Sequence, residues 1–206
     1  SGLSFVKRFG AFDLSLRSGL FMTRVDRDLI FSETAGRNVL GGATSRYGST
    51  SAARVTTPFL DVAANLTYVS ATFNDTGLLI PYIPQWVLRL DGALFGDVPI
   101  RRLRLLRRPL RGTLAAGLTY VSPRPLPLGE RSNPIFTLDM HGSVGWWLVD
   151  VGVACTNLLD ARYRLGEYNY ASDFRSQPQP TLVPTRHFSA GPPRAVLATF
   201  SINFGG

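Results

Sequence analysis

Alternation with a period of two runs through most of this chain and limits what it can fold into. In AVLATFSINF, Val196, Ala198, Phe200, Ile202 and Phe204 share one face, and Thr199, Ser201 and Asn203 share the other. DVAANLTY sets Val62, Ala64, Leu66 and Tyr68 against Asn65 and Thr67; TLAAGLTY sets Leu114, Ala116, Leu118 and Tyr120 against Thr113, Gly117 and Thr119. IFTLDMHGSVGW opposes Phe136, Leu138, Met140, Val144 and Trp146 to Thr137, Asp139, His141 and Ser143. AFDLSLRSGLFM and WVLRLDGAL repeat the pattern, with Asp13, Ser15 and Arg17 in the first and Arg89 and Asp91 in the second on the polar side. Successive side chains of an extended chain point to opposite sides, so this pattern predicts strands with one apolar and one polar face. No comparable helical stripe is present.

Nine strands are expected, at 2–8, 11–23, 44–57, 61–73, 85–96, 112–122, 135–146, 149–159 and 195–204. The fold class is therefore all-β, an antiparallel meander of long strands. A soluble sandwich turns its apolar face inward, whereas an outer-membrane barrel turns it to lipid. Length separates the two. Many of these segments reach about 10 residues, enough for a tilted membrane crossing, where globular strands average about 5–6. Aromatic placement points the same way. With strands alternating in direction and the C-terminus at the periplasmic side, Tyr68, Trp86 and Tyr120 fall at one interface and Phe12, Trp146 and Phe204 at the other. Two girdles are expected of amphipathic rings at the edges of a bilayer. A sandwich core has no reason to sort them.

Composition excludes other classes. No stretch approaches the roughly 18 apolar residues of a spanning helix, and the mean hydropathy of +0.07 is that of neither a helical membrane protein nor a disordered tail. SGLSFVKRFG has no apolar signal-peptide core and the chain does not start with Met, so a processed chain or a fragment is expected. Cys155 is alone, which leaves no disulfide framework or cysteine metal site. The net charge of +8 is almost wholly arginine, Lys7 being the only lysine.

Several segments resemble TonB-dependent outer-membrane receptors. Asn157-Leu158-Leu159-Asp160-Ala161-Arg162-Tyr163 is similar to the Asn-Leu-Phe-Asp-x-x-Tyr motif that ends the family's penultimate strand. A long extracellular loop and a last strand closing on an aromatic, here Phe204, then follow. SATFNDTGLLIPYIPQWVLRLDG resembles the family's short outer loop with its Ile-Pro-x-x-Pro turn, and FMTRVDRDLIFSETAGRN the upward strand before a variable loop. Gly205-Gly206 departs from the family's usual aromatic end. The resemblance implies that residues 1–206 are the C-terminal part of such a barrel. The plug domain, the energy-coupling box and roughly the first dozen of about 22 strands have no counterpart here. It implies a place in the bacterial outer membrane and energised uptake of a scarce ligand, such as a ferric siderophore, a corrinoid or a glycan. The implied partners are outer-membrane lipid, the small-molecule ligand, the remainder of the receptor and, through that remainder, a TonB-type energy-coupling protein. Two other readings are a stand-alone eight-stranded barrel acting as a small pore or surface-binding protein, if 2–8 is not a strand, and a soluble lipocalin-like carrier.

The loop 163–193 carries the ligand-binding candidates. Tyr163, Arg164, Glu167, Tyr168, Tyr170, Asp173, Phe174, Arg175 and His187 mix aromatic rings with charge. Exposed aromatics and arginines concentrate binding energy, and a loop of about 30 residues is uncommon without a function. The run RRLRLLRRPLRG holds six arginines but no aromatics; it reads as a solvated periplasmic turn, and no nucleic-acid partner is expected. His141, two residues from Asp139 on a polar face, reads as a lumenal hydrogen-bonding group. HGSVG lacks the spacing of a hydrolase elbow. Neither catalytic residues, a metal site nor a cofactor is expected, and the chain is not read as an enzyme.

Overall fold

The computed structural model describes residues 1–32, 35–98, 109–172 and 183–204. Nine strands form one antiparallel sheet: β1 (Gly2–Phe9), β2 (Phe12–Ser32), β3 (Arg37–Thr56), β4 (Leu60–Phe73), β5 (Trp86–Asp97), β6 (Arg111–Val121), β7 (Ile135–Trp146), β8 (Val149–Thr156) and β11 (Ala195–Ile202). A separate two-stranded ribbon pairs β9 (Arg164–Ala171) with β10 (Pro184–Ala190). Among the described residues the one helical element is a 3-10 turn at Pro127–Gly129.

The register aligns the two predicted faces across the sheet. One apolar row runs Phe5, Leu16, Ala53, Ala64, Leu90, Leu118, Leu138. On the opposite face Ser15, Arg54, Ala63, Asp91, Gly117 and Asp139 make the corresponding polar row. Leu118, Leu138, Val153 and Phe200 thus share one face, and Thr119, Asp139 and Thr199 the other. No second sheet among the described residues covers either. Among the described residues only Ala71, Ile80 and Leu126 are buried apolar side chains, while Leu20, Leu94, Leu114 and Phe200 are exposed. This is the distribution of a sheet whose apolar face meets lipid.

The two ends differ. Turns at one end are tight at Phe9–Phe12, 57–59 and 147–148, with the 98–110 connection as the exception, whereas 74–85, 122–134 and 157–194 are long connections at the opposite end. Short turns on one side and long loops on the other are the rule for outer-membrane barrels. At the loop end Tyr68 packs on Trp86 with ring centroids 4.6 Å apart, and Tyr120 lies opposite Phe136. At the turn end Phe9 meets Phe12 and Trp146 lies opposite Val149. On β7, Phe136 and Trp146 are ten residues apart on the apolar face. That is about 33 Å along a strand and, at a tilt near 45°, about 23 Å of depth, close to an apolar band about 25 Å tall.

On the polar face the Arg89 guanidinium donates to Asp91 at 2.5 Å and to Thr119 Oγ1 at 2.7 Å, and lies 3.8 Å from Asp139. It crosses Gly117, where any Cβ would overlap its Nη2. A glycine in mid-strand normally weakens it. Here it makes room for a cation between two carboxylates.

Several expected boundaries move. β2 and β3 run well past 11–23 and 44–57: Val25, Leu29, Ile30, Phe31 and Val39 extend the ladder to the Ser32–Arg37 pair, through an irregularity at Val25–Asp28. The variable loop expected there is mostly a ribbon, built by β-branched and aromatic residues. β8 stops at Thr156, not 159, because Asn157 is left-handed at φ 49°. The eight-stranded closure is absent: 2–9 is a strand, and β11 pairs with β8, not β2. Eight antiparallel steps leave β1 and β11 pointing the same way, so these two edges cannot pair antiparallel with each other. The arginines at 101–108, Asp173, Phe174, Arg175 and Gly205-Gly206 lie outside the described residues.

Candidate ligand-binding surface at the loop end

The loop end contains the buried apolar side chains. After β4 the chain doubles back: Ile80 donates its N–H to Ala71 O and Phe73 donates to Leu78 O, both at 2.9 Å. Connection 122–134 does the same through the Leu126–Glu130 bond at 2.8 Å. Tyr82 N–H donates to Pro125 O at 2.8 Å and joins the two. Ala71, Ile80 and Leu126 are the buried apolar side chains of this folded-back layer. Above it a cleft of about 450 Å³ opens between Phe73, Leu79 and Pro81 on one side and Pro125 and Leu128 on the other, with Glu130 and Arg131 also lining it.

The expected 163–193 loop is instead the β9–β10 ribbon, and the sequence candidates divide between its faces. One face docks on connection 122–134. Glu167 is wholly buried; it accepts from Asn133 N–H at 2.6 Å and from Arg164 at 3.0 Å, with Arg186 at 3.6 Å. Asn169 donates to Pro127 O at 3.0 Å, Arg124 to Leu165 O at 3.2 Å, and Arg186 pairs with Glu130 at 3.3 Å. Arg164 also stacks over Phe188. Burying a carboxylate is costly unless it is paired and hydrogen-bonded, and Glu167 is both. It ties the ribbon down.

The other face carries Tyr168, Tyr170 and His187. Tyr170 and His187 stack at 4.1 Å, and His187 Nε2 lies 2.8 Å from Ser172 Oγ. Tyr168 is 40% exposed and leans toward Tyr82, 5.6 Å away between centroids. Sequence reasoning missed Tyr82; its signal was the aromatic in the proline-flanked turn IPYIP. Tyr163 sits at the ribbon's foot, with Gly191 N–H donating to its carbonyl at 2.9 Å. A side chain at Gly191 would collide with its ring. Tyr163, Arg164 and Glu167 therefore position the ribbon, and Tyr168, Tyr170 and His187 form its aromatic surface. His141 stands opposite Ala115 and Ala154 on the polar face of the sheet, away from this group.

The Asn157 motif locks the ribbon to the sheet. Asn157 is 3% exposed. Its amide donates to Ala161 O at 3.0 Å and Pro192 O at 3.2 Å and accepts from Ala161 N–H at 2.9 Å, while its own N–H donates to Asp139 at 2.9 Å. One side chain connects the end of β8, the foot of the ribbon and the approach to β11.

No protein-family model and no curated protein matches the sequence. Among solved structures, the ferric yersiniabactin uptake receptor FyuA from Yersinia pestis superposes on 99% of this chain with a TM-score of 0.68 and 18% identity. The fold is that of an outer-membrane barrel segment. The chain spans 29% of that receptor's length, so an open nine-stranded segment is matched to a stretch of a longer barrel.

Proposed function

We propose that this chain is the C-terminal barrel segment of a TonB-dependent outer-membrane receptor that takes up a scarce small molecule, of the siderophore-iron, corrinoid or glycan class. The observation carrying the proposal is the pairing of a two-faced sheet, belted by aromatics, with a packed aromatic and charged surface confined to the long-loop end. The remainder of the receptor supplies the plug, the link to the energy-coupling protein and the other strands. Closing this sheet into an antiparallel barrel takes an odd number of added strands. The polar face, with Arg89, Asp91 and Asp139, then lines the lumen. The ligand meets the ribbon first, at Tyr168, Tyr170 and His187 beside Tyr82, with Asp173, Phe174 and Arg175 as sequence candidates in the same segment.

The test is ligand binding on whole cells carrying the full-length receptor. Shortening 165–190 is expected to reduce surface binding while the barrel still assembles. Replacing Arg101, Arg102, Arg104, Arg107 and Arg108 by Ser is expected to leave it nearly unchanged, because the 98–110 connection joins β5 and β6 at the opposite end. The reverse result would show the topology to be upside down.

A further inference from the structure

Charge is sorted between the faces of the sheet with one exception. Between the aromatic rows, Arg8, Asp13, Arg17, Arg54, Asp61, Arg89, Asp91, Asp139 and Asp150 all occupy polar-face positions of the register. Lys7 stands opposite Leu14 on the apolar face. Arg24 shares that parity but lies two residues beyond Met22 at the loop end, where it faces Asp26 at 3.6 Å.

Lys7 is placed where a lipid-facing cation is tolerable. It lies two residues from the turn end of β1, and its Nζ reaches further toward that end, 4.6 Å from the Phe9 ring centroid. Charge on the lipid face is costly at mid-depth and nearly free at the interface, and lysine stems bend to bring their amine there. Phe9 is half exposed, and a second ring, Phe12, lies 6.1 Å from it. The nearest carboxylate in sequence, Asp13, is on the opposite face and is held by Arg8 at 2.6 Å. Among the described residues no carboxylate pairs with Lys7, and its ammonium carries three N–H donors.

On the receptor reading, we infer that Lys7, Phe9 and Phe12 form a site for the headgroup of an anionic phospholipid in the periplasmic leaflet. The ammonium takes the phosphate, and the two rings pack beneath it at the edge of the hydrocarbon. Charge complementarity chooses this occupant: a zwitterionic headgroup offers the same phosphate but brings its own cation.

Native mass spectrometry would test this on the full-length receptor released from nanodiscs of phosphatidylcholine doped with phosphatidylglycerol. Wild type is expected to retain phosphatidylglycerol over phosphatidylcholine. Lys7→Met should lower that preference about fivefold, the effect of one surface cation on anionic lipid, and Lys7→Arg should keep it. Methionine suits a lipid face, so both variants should enter the discs as well as wild type. A phosphatidylglycerol preference unchanged in Lys7→Met would overturn the site while leaving the receptor reading intact. Failure of wild type to enter the discs at all would overturn the membrane reading, and the site with it.

Discussion

Asn157 shows how much one residue can be asked to do. Its backbone is left-handed, a conformation asparagine adopts more readily than most residues. Its amide needs both a donor and an acceptor: Nδ2 serves two carbonyls and Oδ1 one N–H. Aspartate could keep the backbone and the acceptor but not the two donors, and it would bury a charge. Asn157→Asp is therefore expected to cost roughly 2–4 kcal/mol, the penalty of buried groups left unpaired. The loss would be read as a lower unfolding temperature of the full-length receptor in detergent.

At the scale of elements, the strands and the ribbon are held by different forces. A strand here is fixed by its ladder and by which solvent each face meets. Leu118→Arg places a cation on the lipid face near mid-depth and should cost about 2–4 kcal/mol. Thr119→Arg, one residue away on the polar face beside Arg89, should cost much less. Reversible unfolding of the full-length receptor in lipid vesicles would compare them, and equal costs would argue against the membrane assignment. The ribbon instead depends on a buried carboxylate. Glu167→Gln removes the charge shared by Arg164 and Arg186 but keeps a hydrogen-bonding side chain. Both arginines are about a third exposed, so water compensates them in part, and about 1–3 kcal/mol of docking should be lost. Faster amide exchange in β9 and β10, with β6 to β8 unchanged, is the expected signature.

For the whole molecule, the decisive property is openness. β1 and β11 each leave one edge unpaired among the described residues, and their parallel directions prevent mutual antiparallel closure. Unpaired backbone in hydrocarbon costs several kcal/mol per group, so an open sheet cannot sit alone in a bilayer. Residues 1–206 expressed alone are expected to aggregate. They should give no band whose gel mobility shifts on heating, the behaviour of a closed barrel, whereas the full-length receptor should show that shift. A heat-shifting species from this chain alone would revive the small-barrel reading.

Much of this was legible in the residues. Period-two alternation marked β2, β4, β5, β6, β7 and β11 because both solvents of a barrel wall, lipid and lumen, act on the chain one residue at a time. The aromatics at Tyr68, Trp86, Tyr120 and Trp146 were legible for the same reason: each responds to its own depth. The β9–β10 ribbon was not. Its faces meet protein loops and water, so Arg164–Ala171 carries no apolar alternation and reads as a loop until its partner strand is seen. The burial of Glu167 was not legible, because sequence cannot tell an exposed carboxylate from one buried under two arginines. Tyr82, far away in the chain, joins Tyr168 only through the contact of separate loops. Local chemistry determined the faces and the fold class; which edges pair, where the ribbon docks and which side chains it hides depended on contacts between distant segments, and only the tertiary structure decided them.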